Sequence, residues 1–165
     1  MKINMDVTDN SSWIKPAVSE DDISAVRELF REYEAWLGLD LCFQGFEEEF
    51  ASLPGKYAEP DGRLYLARVD GKPTGCAALR RLDNETCEIK RLYLRPSARG
   101  LGLGKRLVER LIDDARLIGY RRIRLDTFPP KMAKAVGLYE SHGFRQIRRY
   151  YDNPYEGVLF MELAF

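Results

Sequence analysis

One histidine and three scattered cysteines are the only imidazole and thiol groups in this chain. His142 stands alone, and Cys42, Cys76 and Cys87 are odd in number and form no CxxC pair. Neither a zinc site, nor any other metal site, nor a disulfide framework is expected from them. Unpaired thiols fit a reducing, cytoplasmic setting. Long apolar runs are missing as well. Nothing approaches the roughly 20 residues of a membrane span, so no membrane partner is expected. The opening MKINMDVTDNSSW has no apolar core of the kind a secretory signal needs. Net charge is also absent, because 26 Lys and Arg balance 26 Asp and Glu. Without a basic excess, a nucleic-acid partner is not expected. No internal repeat or low-complexity tract is present.

The 165 residues suit one domain able to bury a core without covalent staples. Residues 1–12 are expected to form a mobile polar lead-in, and residues 13–165 the folded domain. Charge is segregated along the chain. Residues 19–61 are acidic, with Glu20, Asp21, Asp22, Glu28, Glu32, Glu34, Asp40, Glu47, Glu48 and Glu49. Residues 90–124 are basic, with Lys90, Arg91, Arg95, Arg99, Lys105, Arg106, Arg110, Arg121, Arg122 and Arg124. Two solvated faces explain most such charges. The sharper alternative is a basic half for an anionic cofactor and an acidic half near a cationic substrate.

Residues 13–18 read as a first strand. Ser19, with Asp22 three residues on, approximates a capping box, and Ile23, Val26, Phe30, Tyr33 and Leu37 follow at helical spacing until Gly38. A loop over 39–45 leads to a short helix over 46–53, broken by Pro54-Gly55. Three strands follow over 63–69, 74–82 and 86–94, antiparallel because Asp70-Gly71 and Asp83-Asn84 are tight turns. After a glycine-rich turn, a helix over 103–118 carries Leu103, Leu107, Val108, Leu111, Ile112, Ala115 and Ile118 on one stripe and stops at Gly119. Residues 122–127 read as a strand and 131–142 as a helix entered through Pro129-Pro130. Residues 144–150 and 158–163 read as a last strand pair around a loop too long for a tight hairpin. The strand–helix–strand unit over 86–127 implies a right-handed crossover between parallel strands, and therefore a mixed α/β domain.

The stretch Arg99-Gly100-Leu101-Gly102-Leu103-Gly104 joins that strand to that helix. Helix N-termini expose unpaired N–H groups and partial positive charge, and glycines let the backbone approach oxygen atoms closely. Arg99 and Lys105 flank the turn with full charges. A phosphate cradle is the expected role, against a turn that merely reverses the chain. A P-loop is excluded, because Arg99 stands where its first glycine belongs and Arg106 replaces its Ser/Thr. A dinucleotide fingerprint fails at Lys105, which occupies the place of its third glycine, although Asp126 coincides with the ribose-binding acid of that fold.

The pattern that fits is [Q/R]-x-x-G-x-[G/A], met by Arg99, Gly102 and Gly104. With Glu88-Ile89-Lys90-Arg91-Leu92-Tyr93-Leu94 upstream and Leu138-Tyr139-Glu140-Ser141-His142-Gly143-Phe144 downstream, the chain resembles the GNAT superfamily of acyl-CoA-dependent N-acyltransferases. The match covers about residues 75–145, with motifs in the family order and spacing. The resemblance implies a mixed, mostly antiparallel sheet of about seven strands flanked by about four helices, the fourth and fifth strands splayed apart. It implies acetyl-CoA as cofactor, its pyrophosphate on residues 99–105 and its pantetheine arm paired with the backbone of Leu92, Tyr93 and Leu94. The Leu92 N–H would then polarise the thioester carbonyl.

By the same resemblance, Glu88, eleven residues before Arg99, takes the position of a catalytic glutamate, and Tyr139 that of a general acid. An amine must lose a proton to attack a thioester, and a phenol near pKa 10 suits the departing thiol. The alternatives are a strand glutamate salt-bridged to Arg91 or Arg124, and a tyrosine packed under the sheet. Met132 replaces an asparagine that many members place against the cofactor, while Ala135 keeps a small residue. His142 reads as a solvent-facing helix residue, and Cys87 as a packing residue on the strand face opposite Glu88. The acceptor pocket of the family nominates Phe43, Gln44, Glu47, Tyr150, Tyr151 and Asn153, with an acid to hold an ammonium. A small primary amine, amino-acid-like or polyamine-like, is the expected acceptor. A silent acyl-CoA sensor, a protein N-acetyltransferase and a nicotinamide-dinucleotide protein are the alternatives. A homodimer is compatible with this reading.

Overall fold

A computed structural model describes residues 12–165. The lead-in expected over residues 1–12 lies outside them save for Ser12, which opens the first strand. The described elements run β1 (Ser12–Pro16), α1 (Glu20–Leu37), α2 (Phe46–Ser52), β2 (Arg63–Val69), β3 (Lys72–Arg81), β4 (Thr86–Leu94), α3 (Leu103–Ile118), β5 (Arg122–Thr127), α4 (Pro129–Ser141), β6 (Arg145–Ile147) and β7 (Leu159–Ala164). The seven strands form one sheet in the order β1-β2-β3-β4-β5-β7-β6. All neighbours are antiparallel except β4 and β5, which are parallel and joined through α3. Among the described residues, no helix is long and apolar enough to cross a membrane.

Each face of the sheet buries its own core. On one side α1 contributes Val26, Leu29 and Phe30 against Leu64, Leu66, Cys76, Ala78 and Tyr93, with Phe46 of α2 sealing the edge. On the other, α3 lays Leu107, Val108, Leu111 and Ala115 on Tyr65, Ala77, Leu79, Cys87, Ile89 and Ile123, with Tyr139 of α4 in the same cluster. Cys87 is fully buried there, as its alternation predicts, and burial pushes its thiol up to about 12.

Local chemistry sets the start of α1. Ser19 Oγ accepts from the Asp22 N–H at 3.1 Å, and the Asp22 carboxylate accepts in return from the Ser19 N–H at 3.3 Å. The same carboxylate bonds Arg68 of β2 at 3.1 Å, so the cap also ties the helix to the sheet. Burial opposes the Asp22 charge, but the N–H groups of Val18 and Ser19 and the Arg68 guanidinium outweigh it and lower the carboxyl pKa. A lowered folded-state pKa stabilises the fold above the ordinary carboxylate range, and that contribution fades as pH falls through the folded value. Ser19→Ala is expected to cost about 1 kcal/mol, read as a lower urea midpoint at constant m-value. No change in midpoint would show that the cap does not hold α1.

The acidic and basic segments meet where Arg95 and Arg91 pair with carboxylates of α1 and α2, while more than half of their named charges stay exposed, as solvated faces require. Arg95 grips Glu32 at 2.7 Å, Arg91 reaches Glu49 at 2.9 Å, and Arg31 pairs with Glu47 at 2.6 Å within the acidic segment itself. These bridges fasten α1 and α2 over the end of β4, where the sheet opens.

Candidate active site

β4 and β5 pair over three positions only, Thr86↔Arg122, Cys87↔Ile123 and Glu88↔Arg124. Beyond Glu88 they diverge, while β5 stays paired with β7 as far as Thr127↔Leu159. The β5-facing edge of residues 89–94 is thereby left without a strand partner. A bulge in β4 accompanies the parting. Between Ala78↔Lys90 and Cys76↔Tyr93, β3 supplies Ala77 alone whereas β4 supplies both Arg91 and Leu92. Arg91 takes up the extra residue at φ 58°, a left-handed conformation uncommon for a bulky side chain.

The bulge resets which way the strand faces. Glu88, Lys90, Arg91 and Tyr93 all engage the α1–α2 side, whereas Cys87, Ile89, Leu92 and Leu94 pack on the α3 side. Unbroken alternation would have put Arg91 on the α3 side. Two consecutive cations instead share one face.

At the far end of β4, Gly100 (φ 81°) and Gly102 (φ 76°) turn the chain into α3 through left-handed backbone that a Cβ would strain. Gly102 is the N-cap and offers no side-chain bond, so no side chain caps the first-turn N–H groups of α3. Arg99 lies 5.0 Å over the Trp36 ring and donates to the Leu94 carbonyl at 3.2 Å. Lys105 is exposed, 3.9 Å from Glu109, and Leu101 is exposed beside it. Leu103 is buried, and Gly104 sits against Leu94 and Leu138. An uncapped helix start with glycine backbone and two flanking cations fits a pyrophosphate.

The opening between β4 and β5 is a cleft lined by Tyr33, Phe43, Gln44, Ile89, Lys90, Arg91, Leu92, Asp126, Thr127, Met132, Tyr139 and Asn153, among others. Tyr139 enters it from α4, only 4% exposed, with its ring 5.7 Å from Phe144. Burial pushes its phenol well above the ordinary value, which keeps it protonated. α4 starts at Pro129, two residues earlier than the sequence suggests, and breaks at Met132 (φ −127°, ψ 38°). That break turns Met132 toward the cleft. The Oγ1 of Thr127 is buried without a hydrogen-bond partner among the described residues.

Gln44 is the hub of a polar network on the α1–α2 side. Its Oε1 accepts from Lys90 Nζ at 3.1 Å and from Arg91 Nη1 at 2.8 Å. Its Nε2 donates to Asp126 at 3.3 Å and to the Tyr151 hydroxyl at 3.1 Å. Tyr151 in turn donates to Asp126 and accepts from Asn153 at 3.0 Å. Burial works against the Asp126 charge, but Lys90, the Tyr151 hydroxyl and Arg91 hold its carboxyl below the usual range.

Glu88 lies beneath this network, fully buried. Its Oε1 accepts from Arg80 at 2.8 Å, and its Oε2 accepts from the Tyr150 hydroxyl. The salt bridge that was the alternative role for Glu88 is made with Arg80 and not with Arg91 or Arg124, because Arg91 turns to Glu49 and Arg124 to Glu162 at 2.8 Å. Burial and the Glu88 charge push the Tyr150 phenol up.

The structure thus brings Gln44, Tyr151 and Asn153 together, sets Phe43 at the cleft wall against Tyr155, and joins Tyr150 to Glu88. It does not bring Glu47 in; that carboxylate pairs with Arg31 on the outer face of α2. His142 is half-buried and bridges helices, Nδ1 at 2.9 Å from the Leu138 carbonyl and Nε2 at 3.2 Å from Glu109, which corrects the solvent-facing reading. Lys90, Arg91 and Asp126 escaped nomination. Lys90 and Arg91 counted toward a basic segment and the family-like strand, Arg91 also as a possible partner of Glu88, and Asp126 showed itself only as a coincidence with a dinucleotide fold.

A splayed parallel pair, a bulge and an uncapped glycine turn occur here on a chain whose residues 23–144 match the family model of the acetyltransferase (GNAT) family. The chain belongs to the GNAT family. Membership carries acyl-CoA-dependent N-acetyl transfer. This GNAT chain is 39% identical over 144 residues to an uncharacterised N-acetyltransferase of Schizosaccharomyces pombe, covering 86% of this chain and 88% of that one. Its fold matches the crystal structure of an acetyltransferase from Streptococcus agalactiae with a TM-score of 0.78, at 25% identity over 94% of this chain and 99% of the other. It also matches a GNAT acetyltransferase from Elizabethkingia anophelis solved with acetyl-CoA bound, TM-score 0.65, at 20% identity over 94% and 99% of the two chains.

Proposed function

We propose that this enzyme transfers the acetyl group of acetyl-CoA to the primary amine of a small molecule, by direct attack in a ternary complex. The observation that carries the reading is the cleft itself. It is lined by the unpaired edge of β4 and a protonated phenol, and the glycine turn follows at the far end of that strand.

Bound acetyl-CoA supplies an activated acyl thioester. The first-turn N–H groups of α3, with Arg99 and Lys105, hold the pyrophosphate. The backbone of residues 92–94 would pair with the pantetheine arm, and the Leu92 N–H, at the bulge, would stabilise negative charge on the carbonyl oxygen. The same arm would supply Thr127 Oγ1 with its missing partner. Tyr139 gives a proton from its hydroxyl to the departing sulfur. The incoming ammonium gives one proton to the Tyr150 oxygen as the Tyr150 hydroxyl proton passes to Glu88 Oε2, so Glu88 acts as base through a relay and leaves a neutral amine to attack; the second N–H proton, released as the C–N bond forms and the C–S bond breaks, restores the Tyr139 hydroxyl. Asp126 draws the ammonium into the cleft before that transfer.

A panel of primary amines assayed for thiol release from acetyl-CoA tests the reading. Glu88→Gln and Tyr150→Phe are each expected to lower kcat by about 100-fold and to leave the acetyl-CoA Kd unchanged. Thermal stabilisation by NAD and not by CoA would overturn it.

A further inference from the structure

Arg91 has a nitrogen without a partner. Its Nε donates to Glu49 and its Nη1 to Gln44, while Nη2 is buried and unbonded among the described residues. A guanidinium is always charged, and a buried donor left unpaired is unfavourable, so such groups are normally satisfied. Arg91 lines the cleft, and Nη2 is too enclosed to meet bulk water. A group bound in the cleft beside Arg91 would supply that partner.

Gln44 shows what polarity that group has. The carboxamide sets an acceptor oxygen toward Lys90 and Arg91 and a donor nitrogen toward Asp126. A carboxylate next to an ammonium has the same polarity and nearly the same span. The charges agree. Arg80, Lys90 and Arg91 face Glu88, Glu49 and Asp126, a cluster balanced three against three. A zwitterion preserves that balance in a buried setting, whereas a monoamine or a polyamine adds uncompensated positive charge.

We infer that the acceptor is an amino acid, its carboxylate held by Arg91 Nη2 beside Lys90 and its amine set against Asp126. The inference rests on the acetyl-transfer reading and narrows its acceptor. The bulge is what makes it geometrically available, because only the extra residue in β4 turns Arg91 onto the face that Lys90 already occupies.

The test compares three matched sets of acceptors on the native enzyme: free amino acids, their carboxamides and the corresponding decarboxylated amines. Turnover is read by thiol release, and binding to the CoA complex by calorimetry. At least one amino acid is expected to exceed its carboxamide and its amine by about 100-fold in kcat/KM and to bind measurably where they do not. Arg91→Gln is expected to lower kcat/KM for that amino acid by about 100-fold and to move the carboxamide value less than about threefold. The double variant Arg91→Gln/Glu49→Gln, which strands no buried charge, is expected to do the same. Carboxamides or plain amines that serve equally well overturn the inference and leave acetyl transfer standing. An acetyl-CoA Kd weakened by Arg91→Gln overturns it by assigning Nη2 to the cofactor. Acetyl-CoA binding with no acetylation or binding in any of the three sets overturns both.

Discussion

Tyr139→Phe is expected to lower kcat by about 100- to 1,000-fold while the Kd for acetyl-CoA stays within about twofold. The phenol stands in the cleft at 4% exposure, and its ring is fixed against Phe144, so removing one oxygen leaves the packing in place. What is lost, on the proposed mechanism, is the proton for the departing sulfur. Burial raises the phenol above its ordinary value of 10.0, so it remains a donor across the neutral range. An alkaline limb of kcat due to this group therefore lies above about pH 10 and disappears in the variant. Stopped-flow thiol release across pH, alongside calorimetry for acetyl-CoA, reads both quantities. An unchanged kcat with a good acceptor would remove Tyr139 from the mechanism.

Phe46→Ala is expected to cost about 3–5 kcal/mol in unfolding free energy. Phe46 is fully buried, tilted against Phe30 at 6.5 Å and Phe50 at 6.2 Å, and anchors α2 to α1. The Arg91 guanidinium lies 5.2 Å over the same ring, so the hole opens directly beneath the acceptor side of the cleft. The acceptor KM should accordingly rise more than the acetyl-CoA Kd, because the glycine turn at the start of α3 is held by a different core. Urea unfolding gives the first number, and steady-state kinetics with calorimetry the second. A loss below about 1 kcal/mol would mean that α2 is not docked through this ring.

The extent to which the chain announces its structure follows the range of the interactions involved. α3 spans Leu103–Ile118 as its apolar stripe and Gly119 stop require, and β4 and β5 fall on the expected residues. Those signals lie within a few residues of what they specify. The glycine turn is legible for the same reason, being three glycines and two bases within seven consecutive positions. β6 is where local reading fails, for a strand expected over 144–150 shrinks to Arg145–Ile147. As an edge strand it pairs with β7 alone, and Tyr150 and Tyr151 leave the ladder to pack on Phe160 at 5.3 and 5.2 Å and to bond Glu88 and Asp126. The Gln44 network is legible only in part. Gln44 meets Asp126 across 82 positions and Arg91 across 47, and no pattern in one stretch of sequence encodes those meetings. The bulge is the deepest omission, since an arginine at φ 58° has no residue signature of the kind glycine provides.

The bulge at Arg91 also governs how β4 can change its length. Before it, even-numbered positions look toward α1 and α2; after it, odd-numbered ones do. The strand has a parity switch, and both settings are in use, Glu88 with Lys90 on one side of it and the edge at Leu92 and Leu94 on the other. Side chains along β4 are therefore exchangeable in ways its residue count is not. Adding or deleting a single position between Glu88 and Leu94 would invert one half relative to the other and part the Glu88 and Lys90 side chains from the unpaired edge at Leu92 and Leu94, without altering a residue in either.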